Sequence, residues 1–453
     1  MLRVRCVAAL ALLLLGLLPG SAPAQMLNAR RLGMGGVVTS DNGDHSSSNI
    51  AFRAVPKGTM GSSAIPIPLG LIQYAADHPT FDSSDSTFNI FDALNVLTNP
   101  PLTIQIVKPK DVSGDISVYI AQDSLQIDLA DVKRVIPDGS MAQGGVYHLG
   151  GFGAGIRNLF VQVGPIVHVK NEFTLSDRLR DALKDAVPFT GDTRYGVSDD
   201  ARAQAAIAFQ AGLALRAFHL PGENEKENPD PRRNGATAIY LGAAPKYLLG
   251  LAYGDAQSEA GITTGDTLFA SSNPVTFDMV AQTRHATIGG DGGVGHGFGS
   301  DVGAVLYHQN VEVGVGLNDF LSQISWKTTV RRHVYDNATN EFTTTEVATD
   351  EHYVSRIPVT ATINVAKRMG ETTIAADAVA GELRTTLHAG AEFWLGMWAL
   401  RAGTYRDANK IWQGTAGAGI RLGKLGIDMA IATHSRNIER ERGAELSASL
   451  SIY

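Results

Sequence analysis

Hydrophobic and polar residues alternate one for one over much of the chain. Ile357, Val359, Ala361, Ile363 and Val365 alternate with Pro358, Thr360, Thr362 and Asn364. Leu425, Ile427, Met429 and Ile431 alternate with Gly426, Asp428, Ala430 and Ala432. Leu387, Ala389, Ala391, Phe393 and Leu395 alternate with Thr386, His388, Gly390, Glu392 and Trp394. Val311 to Leu317 and Leu125 to Leu129 follow the same rule. A period of two is that of a strand, whose successive side chains point to opposite faces. Towards the C-terminus the pattern is nearly continuous and predicts strands at 384–395, 397–406, 410–422, 424–434 and 443–453. Gly396 and Gly423-Lys424 are expected as tight turns, and Arg406 to Lys410 and His434 to Gly443 as longer polar loops. Pro358 removes a ladder donor, so it is expected at a strand end or a bulge.

One segment has a different period. Thr174 to Val187 carries Leu175, Leu179, Leu183 and Val187 at i+4 spacing among charged residues, which predicts an amphipathic helix capped by Thr174 or Ser176. It sits between two strand-like segments, either as a loop helix packed on a rim or as a lid over a ligand entrance.

Composition narrows the class. The 453 residues include 38 Lys+Arg and 45 Asp+Glu, a net charge of −7, with only 18% charged residues and 49 glycines. Ordinary soluble domains carry about a quarter charged residues. The acidic balance argues against nucleic-acid binding, which needs Lys and Arg to neutralise phosphates. A single Cys excludes an intramolecular disulfide framework and a cysteine zinc ribbon. Arg3 and Arg5, the apolar run Cys6 to Leu18, Pro19-Gly20 and Ala22-Pro23-Ala24 have the pattern of a secretory signal peptide over 1–24, cleaved after Ala24. No later apolar run is long enough to span a bilayer as a helix; Ala203 to Phe218 is interrupted by Gln204, Gln210 and Arg216. An exported chain without membrane helices is either a soluble all-β protein or an outer-membrane barrel, because only a closed sheet satisfies every backbone group in lipid. Recurrent apolar faces, and connectors that alternate short and long, favour a transmembrane antiparallel β-barrel. Tyr240, Tyr247, Tyr253, Tyr307, Trp326, Trp394, Trp398, Tyr405 and Trp412 are expected near strand ends, as interfacial girdles. The chain ends on Tyr453 after an alternating strand, like the terminal aromatic of outer-membrane barrels.

The segment Asn28-Ala29-Arg30-Arg31-Leu32-Gly33-Met34-Gly35-Gly36-Val37-Val38, then Asp41 to Asp44, then Asn49-Ile50-Ala51, resembles the opening of the FadL-type outer-membrane transport superfamily, with its PorV-like and TraF-like relatives. Members open with an LGMGGA-like stretch, an acidic stretch and NPA; Ile50 stands here in place of the proline. Tyr240 to Tyr247, Gly314 to Phe320 and Leu400 to Tyr405 resemble later strands of the same superfamily. The resemblance implies an all-β fold of about fourteen strands around an N-terminal plug, or hatch, over 25–57, with the barrel over 58–453. Arg30, Gly33, Gly35, Gly36 and Asn49 would form the hatch motif.

No motif for covalent chemistry is evident. Gly289 to Gly299 lacks the Gly-Lys-Ser/Thr ending of a phosphate loop and reads as a turn between strands. HExxH is absent, His45-Ser46-Ser47 does not make a triad, and the 12 His have no metal-ligand spacing. No enzyme activity, cofactor or metal is expected. His168, Asp278, Gln282, Glu312, His388, Glu392, Arg401 and Asp428 fall on the polar faces of strands and are candidates for a polar lumen. Two functions stay open. The first is an outer-membrane channel for uptake of hydrophobic small molecules such as fatty acids. The second is a PorV- or TraF-like scaffold or secretion-system accessory without transport. The expected surroundings are outer-membrane lipid, a hydrophobic ligand and an envelope protein partner.

Overall fold

The computed structural model describes residues 28–42, 48–56, 63–67, 102–105, 116–121, 124–129, 139–148, 152–184, 187–433 and 443–453, apart from 224, 227, 229, 267–274, 291, 340, 383–384, 408–409 and 411. The expected leader at 1–24 and the His45-Ser46-Ser47 stretch lie outside the described residues.

The protein is nearly all antiparallel sheet, and no helix among the described residues is long and apolar enough to cross a membrane. The strands are β1 (Ser63–Ile67), β2 (Leu102–Gln105), β3 (Ile116–Ala121), β4 (Ser124–Leu129), β5 (Met141–His148), β6 (Phe152–Ile156) and β7 (Leu159–Leu175). After them come β8 (Phe189–Thr190), β9 (Arg194–Leu220), β10 (Thr237–Thr264), β11 (Val275–Thr287), β12 (Gly295–His308), β13 (Val311–Asp336) and β14 (Glu341–Arg356). The series ends with β15 (Thr360–Met369), β16 (Thr372–Ala380), β17 (Thr386–Leu395), β18 (Trp398–Arg406), β19 (Trp412–Leu422), β20 (Leu425–Thr433) and β21 (Gly443–Ile452). Among the described residues there are two helices, α1 (Ala29–Gly33) and α2 (Asp177–Lys184), with a 3-10 turn at Ile50–Ala54. The strands predicted near the C-terminus correspond to β17 to β21. Strands β3, β4 and β8 form a separate small sheet, and all others join one large one.

Several strands of the large sheet are collinear halves of one longer stave. Both β11 and β12 run antiparallel to β10, on Ala252–Thr264 and Ala238–Gly250 respectively. The glycine-rich segment lies between two strands as expected, with Gly295 to Gly299 already in β12, but it does not reverse the chain. It leaves the ladder and rejoins it in the same direction, with Gly289, Gly292 and Gly293 at φ +75, +86 and +70. Glycine reaches that region without the Cβ penalty that other residues meet. Likewise β14 and β15 both pair with β13, and the gap between them holds Pro358, a residue unable to donate to the ladder. The pairs β5/β6 on β7 and β1/β2 on β21 are arranged in the same way.

The two faces of the large sheet are inverted relative to a soluble protein. Ile427, Met429 and Ile431 are 46%, 49% and 40% exposed, whereas Asp428 between them is fully buried. The same alternation puts Phe393 and Leu395 outside and Glu392 and Trp394 inside. Val313, Val315, Ile363, Val365, Ile374 and Leu400 extend the apolar outer face across neighbouring strands.

Candidate functional site: a polar dock for the N-terminal segment

Residues 28–42 and 48–56 lie on the inner face of the sheet and touch strands from β7 to β20. A sheet that meets one short segment along so many strands curls around it. Locally, Asn28 caps α1 by accepting from the Arg31 backbone N–H at 3.2 Å, and Asn49 caps the 3-10 turn by accepting from the Ala51 N–H at 3.0 Å.

The first contact is a chain of alternating charges. Arg30 donates to both oxygens of Glu392, at 2.9 and 2.6 Å, and to the Asp41 carbonyl at 3.0 Å. Glu392 also accepts from Arg401 Nε at 2.7 Å and from the Trp394 indole at 2.9 Å. Arg401 Nη1 lies 2.7 Å from Asp428 Oδ1, and Ser451 donates to the other Asp428 oxygen. The Trp394 ring lies 5.9 Å from the Arg30 guanidinium and stands edge-on to Tyr453. Burial opposes the Arg30 charge, but Glu392 outweighs it and holds the guanidinium above its ordinary pKa.

The glycines explain how the backbone comes so close. A Cβ on Gly35, at φ +72, would meet the Ala389 and Thr404 carbonyl oxygens at 2.6 Å. From the wall, a Cβ on Gly403 would meet the Gly35 nitrogen at 2.3 Å. Gly35 N–H donates to Thr415 Oγ1 at 3.0 Å, and that hydroxyl donates to the Gly33 carbonyl at 3.2 Å. Gly36, at φ +82, accepts through its carbonyl from Arg31 Nε at 2.9 Å.

Further along, Val38 N–H donates to Asp377 at 2.5 Å, and the other Asp377 oxygen lies 2.5 Å from His388 Nδ1. Glu312 receives Ser40 N–H at 3.1 Å, the Ser40 hydroxyl, Tyr307 OH at 2.8 Å and Asn364 Nδ2 at 2.7 Å. Asp41 sits between Arg232 at 2.6 Å and Arg368 at 3.0 Å. Burial disfavours the Arg232 charge most strongly, and Asp41 together with Asp230 and Tyr307 outweighs it and raises its pKa. Asn49 Nδ2 donates to the Ala304 carbonyl at 3.0 Å, in a hollow where Gly303 and Gly316 leave no side chain.

The predicted positions therefore divide. Arg30, Gly33, Gly35, Gly36 and Asn49 meet the wall residues Glu312, His388, Glu392, Arg401 and Asp428 in one buried region. His168 is buried too, but higher on β7 and beside Glu382. Asp278 does not join the lumen set, since it pairs with Arg194 and both are about half exposed. Gln282 is exposed. Leu175 ends β7, while Leu179 and Leu183 are half-buried on α2, which packs on β4 and β9 with Ala182 as its buried residue. The expected aromatic girdle is mostly an interior set: Tyr240, Tyr253, Tyr307, Trp326, Trp394 and Tyr405 are buried, and Tyr247, Trp398 and Trp412 face outward. Pattern reading missed Asp377, Tyr307, Arg232 and Arg368. Asp377 stands on an alternating strand and was accessible to the same logic; Arg232 is in a loop, where no periodicity marks it. Among the described residues, no group of three or more metal-ligating side chains is present.

No protein-family model matches the sequence, and no curated protein matches it. Two crystal structures of the toluene transporter TodX of Pseudomonas putida are similar. One is 12% identical, covering 71% of this chain and 89% of the other at a TM-score of 0.25. The second is 13% identical, with 70% and 88% covered at a TM-score of 0.23. A likeness of that size carries no argument about function.

Proposed function

We propose that the chain is a non-enzymatic outer-membrane channel for uptake of hydrophobic small molecules. In it, 1–24 is a cleaved leader, 25–57 a hatch and 58–453 a barrel. The inverted faces carry this assignment. An outer surface of recurring Ile, Val, Leu, Met and Phe needs lipid rather than water to cover it, and an inner surface of charge pairs docks the N-terminal segment. Counting each collinear pair as one stave gives β1/β2, β5/β6, β7, β9, β10, β11/β12, β13, β14/β15 and β16 to β21, which supports fourteen. The many buried hydrogen bonds between segment and wall support a hatch held against the wall. The outer apolar surface supports a lipid partner. Fatty acids are the substrates first to be tried.

The test is purification in detergent, a heat-modifiability gel, and mass spectrometry of co-extracted lipids, followed by uptake of a radiolabelled fatty acid into cells making the protein. A heat-shifted band with bound hydrophobic compounds and protein-dependent uptake supports the channel. A heat-shifted band with neither moves the assignment to a scaffold that holds an envelope protein. Solubility after detergent removal, with no heat shift, overturns both.

A further inference from the structure

Well above the docked segment, a line of hydrogen bonds crosses the interior. Glu382, in the short connection between β16 and β17, lies 2.6 Å from His168 Nε2 on β7. His168 Nδ1 accepts from Gln204 Nε2 on β9 at 2.9 Å, so its proton sits on Nε2 and points at Glu382. Gln204 also donates to the Arg356 carbonyl at 2.9 Å and accepts from the Ser355 hydroxyl at 2.6 Å. Trp326 on β13 donates to that hydroxyl at 2.8 Å.

This line does not follow the wall. Five staves lie between β7 and β16, namely β9, β10, β11/β12, β13 and β14/β15. At about 4.8 Å per strand the wall path is roughly 30 Å, so a 2.6 Å contact spans the lumen directly. The break at Pro358 makes the second half of the crossing. Ile357 is 3% exposed and packs inward with Ile166, Ala206, Leu248 and Ile324. His168 stands six residues beyond Gln162, where Arg53 of the docked segment makes its bond, which is about 20 Å along the strand.

We propose that Glu382 and the Arg356–Val359 bend form a gate across the lumen, separate from the hatch and latched to the opposite wall by His168 and Gln204. Its name as a gate rests on the channel assignment above. Entry from the β16–β17 side requires release of Glu382 from His168 and withdrawal of Ile357 from its apolar seat. A small space lined by Ala208, Ile166, Gln162 and Lys246 lies beneath the bar, so a molecule that passes it meets the hatch next.

The test uses the full chain in intact cells. Its one Cys, Cys6, is in the expected leader, so Ala208→Cys supplies a single probe under the bar. Labelling with a membrane-impermeant maleimide is expected to be at least tenfold faster when Glu382→Ala or Gln204→Ala is added. Glu382→Gln, which still accepts from His168, is expected to stay slow. Equal rates in all four proteins, each confirmed folded by its heat-shifted band, would overturn the gate. Fatty-acid uptake is measured in the same cells. Gated labelling without uptake in any variant would leave the gate standing and remove the transport function instead.

Discussion

Arg30 and Glu392 are 362 residues apart in sequence and meet in a two-point ion pair inside the sheet, with Nη2 at 2.6 Å from Oε1. Glu392 simultaneously neutralises Arg401, so one carboxylate holds two buried cations. Removing it takes this carboxylate from Arg30 and leaves Arg401 with Asp428 at 2.7 Å, and breaking a buried pair costs about 3–5 kcal/mol. Glu392→Ala is expected to loosen the N-terminal segment. The measurement is protease cleavage within residues 28–42 of folded protein, which should accelerate strongly; an unchanged rate would mean that the ion pair does not hold the segment.

The glycine contact makes a separate prediction. Gly35→Ala adds a methyl at a left-handed φ and into carbonyl oxygens at 2.6 Å, and substitutions at incompatible backbone positions cost more than about 1 kcal/mol. Release of the segment is expected without loss of the barrel. Heat-modifiability should persist while the 28–42 region becomes protease-sensitive; loss of the heat shift would show that the segment is needed for the sheet itself.

The outer face predicts a sharp asymmetry between adjacent residues. Met429 is 49% exposed and faces outward. Arg at such a lipid-facing site costs about 2–4 kcal/mol near the bilayer midplane. Met429→Arg should lower the unfolding midpoint in liposomes, while leaving the inner network of Asp428 in place. A Met429→Arg protein as stable as the parent in liposomes would place that face in water.

Asp199 supplies a pH dependence at the far end of β9, more than twenty residues from its Leu220 end and beyond the ten or so that a bilayer needs. Burial first, and Asp200 second, push its carboxyl up from 3.8 to about 6. The folded state therefore holds a proton that the unfolded state has already lost between these values. Stability falls as pH rises from about 4 to 6 and stays lower above that. Asp199→Asn is expected to raise the midpoint at pH 7 by a few degrees and to flatten the change between about pH 4 and pH 6. A variant that keeps the parent slope would assign the titration to another group.

Much of the architecture was legible along the chain. Val311 to Leu317, Leu387 to Leu395 and Leu425 to Ile431 show their faces directly, because alternate side chains of a strand must point opposite ways. The same arithmetic marked His388, Glu392, Arg401 and Asp428 as inward and polar. It failed on β11, where Met279 and Ala281 are buried in place of Asp278 and Gln282, and it failed where no period exists. Nothing local distinguishes Arg232 from other loop arginines, and its place beside Asp41 follows from how the β9–β10 connection folds back. The glycine run at 289–293 has the composition of a turn, but whether a turn reverses a strand or only interrupts it depends on the neighbouring β10.

Residue pattern alone thus determined the strand period, the sidedness of strands such as β17 and β20, and the small-residue character of the N-terminal segment. These are properties of adjacent positions, and backbone geometry imposes them within a few residues. Only the tertiary structure decided that Arg30 faces Glu392, that Gly35 rests on Gly403 and that Glu382 reaches His168. Those pairings arise from curling the sheet, which brings together strands hundreds of residues apart, and no local periodicity carries that distance.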